Sequence, residues 1–142
     1  MKTIILCGGI GTRLKEETEF KPKPMIEIGG VPILWHIMKI YGHYKYRDFI
    51  LALGYKGNLI KDHFLKQKHY TSDISIDTKD GKVIAFDNDT PGDTSDDFNI
   101  IFSDTGLETP TGERVLKLKK YVAEDIFMVT YGDGVADIDI NK

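Results

Sequence analysis

Apolar and polar positions fall in blocks along the chain, and the blocks predict alternating strands and helices. The run Thr3-Ile4-Ile5-Leu6-Cys7 stops abruptly at Gly8-Gly9-Ile10-Gly11, the pattern of a buried strand feeding a glycine-rich turn. Gly29-Gly30-Val31-Pro32 leads into a helix with Pro32 at its first position, and Leu34, Ile37, Met38 and Tyr41 repeat on one apolar face. Phe49 to Leu53 reads as a second buried strand closed by Gly54, followed by a helix carrying Leu59, Ile60, His63 and Phe64. Two runs, 74–77 and 82–86, flank Lys79-Asp80-Gly81 as a hairpin. Asp87 to Phe98 reads as a polar loop, and Asn99 to Ser103 as a strand. Thr109-Pro110 opens a helix lined by Val115, Leu118 and Val122, and Ile126 to Thr130 is a last strand before Tyr131-Gly132-Asp133-Gly134. Strand, helix, strand, helix is the opening of an α/β sandwich on a parallel sheet. No internal repeat or linker divides it, so residues 1–142 read as one domain.

Charge narrows the partners. The 142 residues carry a formal net charge of −3 and a pI near 5.8. No excess of positive charge exists to hold a nucleic acid or an anionic membrane. One cysteine, Cys7, cannot form an intrachain disulfide. The apolar start is shorter than the roughly 7–15 residues of a signal core, and no run approaches the roughly 18 residues of a membrane helix. The expectation is a soluble cytoplasmic protein.

The turn after the first strand is the strongest chemical feature. In Leu6-Cys7-Gly8-Gly9-Ile10-Gly11-Thr12-Arg13-Leu14, three glycines let the backbone approach a ligand closely, and successive N–H groups can cradle phosphate oxygens. Arg13 adds a planar, permanently charged fork. Leu14 stands where a dinucleotide fingerprint needs glycine, and the Gly-Lys-Ser/Thr of a P-loop is absent. Taken alone, the segment equally describes a tight turn with a surface arginine. Lys21-Pro22-Lys23-Pro24-Met25 then places two lysines on a stiff, extended backbone, as defined point charges or as a solvated basic loop.

Together, Gly-Gly-x-Gly-Thr-Arg-Leu, Lys-Pro-Lys-Pro-Met and Ile28 to Leu34 resemble the sugar-1-phosphate nucleotidyltransferases. Leu34 to Met38, Gly54 to Gly57 and Thr130 to Asp137 are most similar to that group's glucose-1-phosphate cytidylyltransferases. The likeness runs from residue 1 to about 66 and resumes from about 101. It implies a three-layer, Rossmann-like α/β fold with a mainly parallel sheet, and a reaction of CTP with α-D-glucose 1-phosphate giving CDP-glucose and pyrophosphate. It also implies Mg²⁺ as cofactor. Leu6, Gly8, Gly9 and Gly11 would meet the nucleotide, Thr12 and Arg13 the β and γ phosphates, and Lys23 the α-phosphate and the sugar phosphate. Arg13 and Lys23 would be the catalytic pair and Asp133 the metal ligand. Thr111-Gly112-Glu113-Arg114 resembles the element that helps to read the cytosine ring, with Glu113 in place of a glycine and adding a negative charge near the base pocket.

The chemistry suits those residues. Two anions are brought together for in-line attack at phosphorus, so neutralising charge and alignment lower the barrier without a base or a nucleophilic side chain. Members of the family are longer, so the chain reads as their amino-terminal, nucleotide-binding half, lacking the acceptor half's Glu-Lys-Pro element and second metal-binding aspartate. A half-sheet of five or six strands leaves an edge open to pairing with another copy. Donors other than CTP (UTP or dTTP), another sugar phosphate, and a non-catalytic nucleotide-binding remnant stay open as alternatives. His36 and His43 share a helix face without a third ligand, and Asp137 and Asp139 read as a solvated loop rather than a metal cluster. Cys7 reads as packing.

Overall fold

The computed structural model describes residues 1–9, 20–71, 73–86, 97–122 and 126–142. Its centre is a parallel sheet of β1 (Thr3–Cys7), β4 (Asp48–Leu53), β7 (Asn99–Asp104) and β8 (Met128–Tyr131), in the order β7-β4-β1-β8. Among the described residues four strands make up the sheet, not five or six, because the 74–86 region folds apart as a hairpin of its own. The register is continuous, Thr3 to Cys7 lying beside Phe49 to Leu53, and Thr3 to Leu6 beside Met128 to Tyr131.

Both faces of the sheet are covered, which is why its central strands are apolar without alternation. Ile5, Cys7, Phe49, Leu51 and Leu53 pack on one side against α1 (Ile33–His43) and α2 (Gly57–Thr71). The buried residues of α1 are the four its spacing predicts, Leu34, Ile37, Met38 and Tyr41. On the other side Ile4, Ile50 and Ala52 meet Leu118, Val115 and Val122, from α3 (Thr111–Lys117) and the 3₁₀ turn that follows it. Helix, sheet and helix give three layers, as expected.

Several boundaries move. Pro32 caps α1 rather than entering it, because β2 (Glu27–Ile28) and β3 (Val31–Pro32) pair through Gly29 and Gly30 at positive φ. The helix expected from Thr109 begins at Thr111 with Pro110 as its cap, and β8 starts at Met128. Phe98, expected in a loop, lays its ring 5.5 Å from Trp35 and 5.3 Å from Phe49. Residues 87–96 of that loop lie outside the described residues. The hairpin forms as expected between β5 (Asp73–Asp77) and β6 (Lys82–Phe86), and β5 is exposed along its length. At the β8 edge Val129 and Tyr131 are exposed. Among the described residues no helix is long and apolar enough to cross a membrane.

Candidate nucleotide site

The sheet order reverses direction at β1. The chain runs outward through β4 and β7, then returns to add β8 on the other side of β1. Ligand crevices in open α/β sheets lie at the carboxyl ends of the strands where the order reverses. A cleft of about 420 Å³ opens there. Leu6, Cys7, Gly8 and Gly9 supply its floor from the end of β1, and Tyr131 and Asp133 come from the end of β8. Lys23 and Pro24 form a further wall, and residues 107–111 with Arg114 close the cleft.

Local structure explains how these groups meet. Gly132 donates its N–H to the Leu6 carbonyl at 3.0 Å, and a Cβ there would come within 3.0 Å of Cys7 Sγ and 3.2 Å of Pro24 Cγ. A glycine there lets the end of β8 approach this closely without crowding Cys7 and Pro24, and so delivers Asp133 to the cleft. Lys23 does not lie on extended backbone. Pro22 is extended, but Lys23–Met25 form one 3₁₀ turn, closed by bonds from Met25 N–H to Pro22 O and Ile26 N–H to Lys23 O. Pro24 has no N–H, so Met25 is the first donor able to close the turn, and burial of Pro24 and Met25 holds it.

The two lysines of the Lys-Pro-Lys segment then part company. Lys23 Nζ stands 3.6 Å from Asp133 Oδ2 inside the cleft. Lys21 Nζ turns away and bonds Glu27 at 2.6 Å, and that bond and its charge hold the Glu27 carboxyl below its usual range. Cys7 is buried, and burial with the nearby Asp133 charge pushes its thiol far up, so it is a packed wall of the cleft and no nucleophile. Burial pulls His63 down, with Glu27 opposing and Lys21 adding to the shift.

Of the residues the sequence nominates, Leu6, Gly8, Gly9, Lys23, Thr111, Arg114 and Asp133 line one cleft. Gly11, Thr12 and Arg13 lie outside the described residues. Gly112 sits on the exposed first turn of α3, outside the lining. Glu113 brings no charge into the cleft, because its side chain is exposed and pairs with Lys117 at 3.3 Å. Arg114 lines the cleft while 5% exposed, and its guanidinium bonds backbone carbonyls. Leu107, Glu108, Thr109, Pro110 and Tyr131 line the cleft without having been nominated. Tyr131 adjoins Gly-Asp-Gly in sequence, but nothing in the pattern of 107–110 marks that loop as a wall.

The nucleotidyl transferase family profile matches residues 2–96. The chain belongs to the nucleotidyl transferase family. It is 44% identical over 140 residues to a probable glucose-1-phosphate cytidylyltransferase of Bacillus subtilis, covering 99% of this chain and 53% of that protein. It is 45% identical over 141 residues to the glucose-1-phosphate cytidylyltransferase of Salmonella typhimurium, with the same two shares. The chain thus spans about half the length of the curated relatives it matches. Among solved structures, HddC from Yersinia pseudotuberculosis superposes with a TM-score of 0.65 at 27% identity, over 93% of this chain and 47% of that one.

Proposed function

We propose that the cleft binds CTP with Mg²⁺. On this reading the chain carries the nucleotide-binding side of a glucose-1-phosphate cytidylyltransferase, which converts CTP and α-D-glucose 1-phosphate into CDP-glucose and pyrophosphate. The observation that carries this reading is the Lys23–Asp133 pair, 3.6 Å apart at the point where the sheet order reverses, beside the Gly8–Gly9 backbone. The 44–45% identity to relatives bearing that name supports the choice of CTP and glucose.

The pair suits an exchange of partners. Lys23 is a compact point charge that can leave Asp133 for phosphate oxygens. Asp133 is 41% exposed and offers a carboxylate that fits a divalent ion. Among the described residues no cluster of three metal-ligating side chains exists. That fits Mg²⁺, which takes one or two carboxylates and fills its shell with water and phosphate oxygens. When bound, the ion neutralises phosphate charge. Lys23 neutralises the α-phosphate, the glycine backbone admits the nucleotide closely, and Thr12 and Arg13 hold the leaving pyrophosphate. A sugar-phosphate oxygen bonds to the α-phosphorus as the bond to the β-phosphate oxygen breaks, and the pyrophosphate carries off the electron pair. The likeness to the cytidylyltransferases supports a cytoplasmic site of action.

Calorimetric titration with CTP and Mg²⁺, repeated with UTP and GTP, tests the reading. Saturable binding that UTP and GTP do not match is expected. A preference for UTP would overturn the cytidine assignment, and no binding by a folded sample would overturn the reading. Binding with no pyrophosphate release on adding glucose 1-phosphate would make this chain a nucleotide-binding module.

A further inference from the structure

Arg114 sits behind the cleft as a buried cation whose partners are four backbone carbonyls and one threonine hydroxyl. Nη1 donates to Thr105 Oγ1 at 2.6 Å and to Gly106 O at 2.7 Å, with Leu53 O at 3.3 Å. Nη2 donates to Gly8 O and Leu107 O, each at 3.0 Å. The acceptors are the carboxyl ends of β4 and β7, the loop after β7, and the glycine turn after β1. Among the described residues no carboxylate pairs with it. Two glycines make the room: a Cβ on Gly8 would overlap Nη1 and Cζ, and a Cβ on Gly54 would lie 2.8 Å from Nη1 and 2.7 Å from Gly8 O.

This geometry fixes one peptide in particular. In a trans peptide the C=O and the next N–H point opposite ways. With Gly8 O anchored on Nη2, the Gly9 N–H is directed away from the guanidinium. We propose that Arg114 is the positioning residue of the cleft, locking the Gly8–Gly9 peptide so that the Gly9 N–H is a preset donor to nucleotide phosphate, and that it does not read the base. The phosphate part of this inference rests on the proposed nucleotide function. A planar fork reaches acceptors from three strand ends at once; a lysine ammonium does not. A donor already held in place costs little to order when an anion arrives.

The test compares the full chain with Arg114→Lys, which keeps the charge and loses the fork. In ¹⁵N relaxation without ligand, Gly9 is expected to be rigid in the parent, with an order parameter near ~0.85, and to fall below about 0.6 in the variant. The β4 amides should not change. A Gly9 that stays rigid in the folded variant would overturn the proposal. Titration with Mg²⁺ and inorganic tripolyphosphate, a probe without a base, is then set beside CTP. Both should weaken by the same factor, about tenfold or more. Loss of CTP binding alone would assign Arg114 to the base and overturn the proposal. If the parent binds neither probe, the nucleotide reading fails, while the relaxation result still decides whether Arg114 fixes the loop. Should Arg114→Lys not fold, Gly8→Ala displaces the guanidinium from the same peptide and is read in the same two ways.

Discussion

The two walls of the cleft are built on opposite principles. At the Arg114 wall the guanidinium is buried, five acceptors surround it, and glycines at 8 and 54 leave no slack. At the Lys23 wall the ion pair with Asp133 spans 3.6 Å between partly exposed side chains. Charge in the first wall is locked into the scaffold, because removing it strands buried carbonyls. Charge in the second is exchangeable, since water and salt already compete for it. On the proposed function, admitting and releasing a polyanion calls on both kinds, a fixed frame and a counter-ion that can be handed over.

Removing the frame should have the largest effect. Arg114→Ala leaves the buried carbonyl of Gly8 and the partly buried carbonyls of Gly106 and Leu107 without this donor. It is expected to cost about 3 kcal/mol or more in urea unfolding. A loss below ~1 kcal/mol would erase the contrast between the walls. Lys23→Ala should do the reverse, weakening CTP about tenfold while stability moves by less than ~1 kcal/mol. Unaltered calorimetry would take Lys23 out of the site. Asp133→Asn sharpens the point, because it releases Lys23 from its partner. CTP affinity in the variant should depend less on Mg²⁺, and without Mg²⁺ it should equal or exceed the parent's; an unaltered metal titration would sink the ligand role.

The smallest effect is expected at Glu27, outside the cleft. Its folded pKa is lowered by Lys21, so its contribution to stability is present above its ordinary value of 4.5 and fades as pH falls through the folded value. Glu27→Gln should remove that acid-side dependence from urea midpoints and leave CTP binding unchanged. A shift in CTP affinity would mean that the two lysines act as one unit.

Much of this was legible in the sequence because it is local. The apolar run at 3–7, the spacing of Leu34, Ile37, Met38 and Tyr41, and the Lys-Asp-Gly turn each carry their own period or turn chemistry, and each forms as read. What escaped is set by distant partners. Phe98 follows a polar stretch and becomes core only because Trp35 and Phe49 wait for it. Lys23 and Lys21 are chemically alike and two residues apart, yet Asp133 and Glu27 divide them. Arg114 reads as a ligand contact from its motif, and only the positions of Gly8 and Leu53, far away in the chain, reveal that its hydrogen bonds go inward.

The strand order also sets a timetable for folding. β1 and β4 are near in sequence and β7 lies beside β4, but β1 meets its other neighbour only when Thr3 pairs with Met128, far along the sequence. Closing so long a loop is slow, and it cannot begin on the ribosome until β8 has emerged. Until then the end of β1 lacks Gly132 beside it and Asp133 opposite Lys23. A chain in which only β1, β4 and β7 have paired therefore lacks a complete cleft until β8 joins them.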